Sequence, residues 1–183
     1  MKLFKKLIAA ALVGAMALTM LVGCASSVNK KEMLAILNDM SGQRVTLKDA
    51  GTKQADAVIA LAQKAYDETA EDKKKDFDPT IALFGEDFHN DKAETTKAGV
   101  KKVKEAIGIN ESNNGYMVGF GEVKSYENQY NQVHATQAAL NSAWNNMVTL
   151  TKARNDGNKG TASIDTVNLG EKEYVVIVIM VVG

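Results

Sequence analysis

The chain has a single cysteine, Cys24, and two histidines, His89 and His134, among 183 residues. One cysteine excludes an internal disulfide, so packing alone must hold any fold this chain makes. The common catalytic signatures are also missing: there is no HExxH, CxxC, Walker loop, nucleotide-binding glycine fingerprint or GxSxG. An excess of charge of one sign is absent too, because 22 Lys and Arg balance 22 Asp and Glu. That balance argues against a nucleic-acid-binding surface. No internal repeat occurs, and the one biased tract is the mixed charge run Glu71 to Asp76.

The lone cysteine closes the apolar N-terminal run. Lys2, Lys5 and Lys6 precede an uncharged segment from Leu7 to Met20, and small residues follow, the pattern of a secretory signal peptide. The run is short for a membrane span, which takes ~20 apolar residues. Leu21-Val22-Gly23-Cys24 resembles the lipobox of bacterial lipoproteins. The resemblance implies that residues 1–23 are a signal peptide and that the Cys24 thiol receives a diacylglycerol. Cleavage then falls before Cys24, and the new N-terminus gains a further acyl chain, commonly palmitate. At ~0.8 kcal/mol per buried CH₂, one chain binds a bilayer marginally, whereas two or three hold firmly. The expected place is the bacterial cell membrane, lipid-anchored and facing outside the cytoplasm. The competing reading of Cys24 is a buried, inert thiol. Removing the signal takes three lysines and leaves a net charge of −3. Such a surface has no electrostatic affinity for an acidic membrane.

Residues 24–31 are small and polar and read as a lipidated tether, leaving 32–183 as one domain. Met33, Leu34, Leu37 and Met40 predict a short helix ended by Ser41-Gly42. Thr46-Leu47-Lys48-Asp49 has the form of a capping box, with Thr52 as a later possible helix start. Ala55, Val58, Ile59, Ala62, Ala65 and Tyr66 then form one apolar stripe. Glu71 to Pro79 reads as a solvated loop, and the segment 81–91 has no clear period. A helix from Lys92 to Ile107 carries Thr96, Val100, Val103 and Ile107, and Gly108 stops it. Asn110 to Gly115 reads as a loop. Tyr116 to Gly121 alternates as a strand whose glycines admit a close backbone or ligand. Ser125 caps an expected six-turn helix with the stripe Tyr126, Tyr130, Val133, Gln137, Leu140, Trp144 and Met147. Its aromatic residues read as core rather than as a sugar platform. After a break at Asn155 to Asn158 come two strands, Thr161 to Leu169 and Tyr174 to Val182. The second is apolar throughout, so it is expected in the centre of the sheet with both faces covered. The order predicts an α+β fold: a small, mainly antiparallel sheet with helices packed on its faces.

Leu37-Asn38 leading through Val45-Thr46-Leu47 into the second helix resembles the opening of the CAP (SCP, or cysteine-rich secretory protein) superfamily domain, an α-β-α sandwich. Gly119-Phe120-Gly121-Glu122 is similar to that family's Gly-Glu strand start. Ala138 to Trp144 is similar to its tryptophan-terminated helix, and the closing hairpin is similar to its final strand pair. The resemblance spans about residues 32–182. It implies a cleft in which two histidines and two acidic residues hold a divalent metal, with His89 and Glu122 in two of those places. The second histidine is missing, since Asn145 to Asn155 contains none.

Three cleft candidates follow, Glu86, His89 and Glu122, with no catalytic set, no cofactor and no metal site expected. His89 among Glu86, Asp87 and Asp91 offers zinc-type donors but reads more simply as a solvated loop. His134 reads as a boundary residue beside the long helix stripe. Asp156-Gly157-Asn158 fits turn chemistry better than calcium binding. The expected function is a membrane-anchored lipoprotein with a non-catalytic domain that binds a cell-wall component, small molecule or protein, and no nucleic acid. The alternative is an envelope hydrolase-like enzyme using a His89/Glu122 cleft.

Overall fold

The computed structural model describes residues 28–40, 46–90, 92–109, 115–123, 131–143 and 159–181. The signal run, the lipobox with Cys24, Ser41-Gly42, Tyr126, Tyr130, Trp144, Met147 and the Asn155 to Asn158 break lie outside them. In chain order the described elements are α1 (Lys30–Met40), β1 (Thr46–Asp49), α2 (Lys53–Asp67), a 3-10 helix (Glu71–Asp76) and α3 (Pro79–Phe84). They continue with α4 (Glu94–Ile107), β2 (Tyr116–Val123), α5 (Asn131–Asn141), β3 (Lys159–Leu169) and β4 (Lys172–Met180). Among them no helix is long and apolar enough to cross a membrane.

The four strands form one open sheet in the order β1-β3-β4-β2. β1 and β3 are parallel, and both β4 pairings are antiparallel. Successive side chains of a strand point to opposite faces, and β4 uses both. Val175, Ile177 and Ile179 enter the core under α1 and α5. Tyr174, Val176 and Val178 enter the core under α2, α3 and α4. The apolar run is therefore central and covered on both sides, as its composition requires. The fold is α+β, a mainly antiparallel sheet between two helical layers.

Local signals explain most of the helices. In α2 the residues Ala55, Val58, Ile59 and Ala62 are buried on one face. Gly108 ends α4 in the left-handed conformation, φ 75°, where glycine carries no Cβ penalty. At the start of α1, Asn29 Oδ1 accepts the N–H groups of Lys31 and Glu32, and Val28 is already buried. Residues of the stretch expected to be tether thus take part in the fold.

Three expectations change. Thr46–Asp49 is a strand, not a capping box: it pairs with β3, and the Asn38 carboxamide closes its outer edge. Asn38 Oδ1 accepts Leu47 N–H at 2.8 Å, and its Nδ2 donates to Leu47 O at 3.2 Å. The helix starts after Thr52 instead, whose hydroxyl donates to Asp56. Secondly, Glu71–Asp76 is a 3-10 helix, and Asp78-Pro79 opens α3. Asp78 is extended, as a residue before proline must be, and its Oδ1 accepts Thr80 N–H and Ile81 N–H. Pro79, lacking an N–H, fits the first helical position.

The third change concerns α5. The described helix ends at Asn141, with Ser142 in a turn, and the rest of the expected six-turn helix, Ser125 to Tyr130 and Trp144 to Met147, lies outside the described residues. It buries Ala135, Thr136 and Ala139, while Gln137 is exposed. The reason lies across the interface. A Cβ on Gly119 would collide with Ala139 O, and one on Gly121 with Ala135 O. The helix backbone rests directly on the strand, so only small residues fit between them.

Gly121→Ala is therefore expected to destabilise the protein by about 1–3 kcal/mol, the usual cost of overpacking. Thermal melting followed by circular dichroism checks it: the expected loss is several degrees. An unchanged Tm would show that α5 does not sit on β2.

Candidate functional site

Where β2 ends and β4 begins, Glu122 stands directly opposite Tyr174 in the strand pairing. A groove of about 270 Å³ opens there. Phe120 and Glu122 line it from β2, Lys172 and Tyr174 from β4, Ala138 and Ser142 from α5, and Asp76 to Thr80 from the segment that enters α3. Phe77, Phe120 and Tyr174 are buried and supply its apolar floor. Asp76, Asp78 and Glu122 against Lys172 make its charge net negative.

The hydroxyls facing the groove are mostly committed. Ser142 Oγ lies within hydrogen-bond reach of the Phe120 and Ala138 carbonyls, which share its single O–H. Tyr174 Oη donates to Phe77 O at 3.3 Å. Burial, with the nearby Glu122 and Asp78 carboxylates, pushes the Tyr174 phenol up to about 12, so it stays protonated at neutral pH. Lys172 Nζ lies 3.9 Å from Glu122 Oε2, too far for a hydrogen bond. Among the described residues of the lining there is no imidazole, and the Ser142 hydroxyl serves main-chain acceptors. The arrangement sets a few polar groups and three aromatic side chains around one groove.

Of the three cleft residues read from the sequence, Glu122 lines the groove, whereas Glu86 and His89 do not. Both are exposed, and the His89 ring packs 4.0 Å from that of Phe88, tilted by 40°. His134 is exposed on α5. Among the described residues, no three or more His, Cys, Asp or Glu side chains gather to hold a metal. Sequence reasoning missed Thr80, Ser142, Lys172 and Tyr174. The Asp78-Pro79 start of α3 was the one local signal that could have pointed to Thr80.

The chain matches no family model, no curated protein and no solved structure.

A second polar cluster lies across β3. Lys30 Nζ is 2.7 Å from Asp165 Oδ1, and the Asp56 carboxyl, which accepts from Thr52, faces Asp165. Burial and the Asp165 carboxyl raise the pKa of Asp56, against the Thr52 hydroxyl and Lys30, which lower it. A carboxyl raised in the folded state binds its proton more tightly there than when unfolded. Stability therefore falls as pH rises from the usual carboxylate value through the raised one. Asp56→Asn, which keeps an acceptor for Thr52, is expected to raise the Tm by about 2 °C at pH 7. At pH 3 the gain should vanish, and thermal melts at the two pH values read it. A gain that is equal at both would place its cause elsewhere than in the Asp56 charge.

Proposed function

We propose that this protein is a bacterial lipoprotein, anchored through lipid on Cys24 and facing outside the cytoplasm, whose single domain binds a ligand without chemically changing it. The observation that carries the binding reading is the groove at Glu122. Phe77, Phe120 and Tyr174 lie in its lining, its Ser142 and Tyr174 hydroxyls are tied to main-chain carbonyls, and no imidazole is among the described residues that line it. Binding sites of this kind place a few polar groups over an apolar surface. The alternative, a hydrolase-like cleft of His89 and Glu122, lacks that support, because His89 is not in the groove lining.

The anchor rests on the lipobox and the lone cysteine. With Val28 buried in the core, the four residues from Cys24 to Ser27 reach about 14 Å at most, at ~3.3–3.6 Å per residue. The domain then sits at the membrane surface, with α1 near the lipid. A divergent CAP-like domain is the fold family we favour. The quoted motifs support it by the structural work they do here. Asn38 closes the edge of β1, and Gly119 and Gly121 admit α5.

Cys24→Ser is expected to abolish incorporation of a fatty-acid probe during growth and to release the protein from the membrane fraction or block its processing. Labelling equal to that of the wild type would defeat the anchor.

A further inference from the structure

β1 covers the outer edge of β3 only from Lys159 to Ala162. Ala50 N–H donates to Ala162 O at 2.9 Å, and Gly51, φ 71°, then turns the chain away from the sheet and into α2. Beyond Ala162, no strand among the described residues pairs with β3 on this side. Alternate residues of a strand direct their main-chain groups to the same edge. Because Ala162 O points outward to Ala50, the N–H and C=O groups of Ile164, Thr166 and Asn168 point outward too. Such a row is complementary to itself: two copies run antiparallel about a two-fold axis can exchange N–H···O bonds between their Thr166 residues. Open edges invite that pairing unless something blocks them.

Side chains fill the lane that β1 leaves. Thr166 N–H donates to Asp165 Oδ1 at 2.7 Å, so the central donor of the row is taken by the residue before it. Lys30 reaches the same oxygen from α1, also at 2.7 Å. From α2, Asp56 faces Asp165 and accepts the Thr52 hydroxyl at 2.8 Å. Helices α1 and α2 cover opposite faces of the sheet, so the two helical layers meet around the β3 edge at Asp165. With side chains 41% and 22% exposed, the Lys30–Asp165 pair contributes little to stability. Its position on the open edge gives it another role.

We infer that Lys30, Asp165 and Asp56 form a clasp that stops β3 from adding the same strand of a second copy of this chain. An incoming strand has to pull Asp165 from Thr166 N–H, strip Lys30 of its partner and cover two carboxylates, each of which opposes pairing.

The test compares the detergent-solubilised full chain with its Asp165→Val variant, at a large excess of micelles over protein. Size-exclusion chromatography with light scattering weighs the protein apart from the detergent. The wild type is expected to be monomeric, and Asp165→Val to dimerise at least about tenfold more tightly. Adding Thr166→Pro to Asp165→Val should restore the monomer, because proline removes the outward donor without touching the β4 ladder. Misfolding cannot produce that reversal. In the wild type, Thr166 N–H should exchange with solvent at least about tenfold more slowly than Asn168 N–H, which points to the same edge. A dimeric wild type, a variant that associates no more tightly, or a variant dimer that survives the proline would each overturn the clasp. Equal exchange at Thr166 and Asn168 would overturn it even if Asp165→Val failed to fold.

Discussion

Helix α5 lies with its backbone against strand β2 because Gly119 and Gly121 present no side chains to it. Close packing of this kind gives up side-chain burial at two strand positions and gains main-chain proximity. It accounts for the small residues buried at this contact, Ala135 and Ala139 on α5 and Ala143 just beyond it. Proximity also lets the Ser142 hydroxyl reach Phe120 O at the free edge of β2. Satisfying that carbonyl closes part of an edge that would otherwise invite another strand. The same approach brings Ala138 and Ser142 into the groove wall, so the site exists because the strand carries glycine there.

The second constraint is β4. A strand buried on both faces between β3 and β2 joins the two cores and ties the helices of both layers to one surface. In a chain with no disulfide this shared strand is the main link between layers. Its first residues, Lys172 and Tyr174, emerge from that core at the groove, which gives the site a rigid floor.

Features that follow from local pattern were legible in the sequence. The stripe of α2, the Gly108 stop of α4, the alternation of β2 and the two-faced burial of β4 all come from spacing within a few residues. What was not legible depends on partners distant in sequence. Thr46–Asp49 looks like a helix cap until β3, more than a hundred residues later, pairs with it and Asn38 bonds to Leu47. Of the expected α5 stripe, Leu140 packs on the core and Gln137 is exposed, while the glycines opposite place Ala135 and Ala139 at the contact. For the site, Glu122 was visible through its Gly-Glu context. Thr80, Lys172 and Tyr174 were not, since only the pairing of β2 with β4 and the start of α3 bring them to it.

The central structural claim is the contact between glycine backbone and alanine helix, on which both the sheet edge and the groove depend. Nuclear Overhauser spectroscopy of the α-protons of Gly119 and Gly121 measures it most directly. A Cβ on Gly119 would lie 3.0 Å from that of Ala143, so strong cross-peaks are predicted from Gly119 to the Ala143 methyl and from Gly121 to the backbone of Ala135 and Ala139. Absence of these cross-peaks, with those of the β2–β4 pairing intact, would contradict the account.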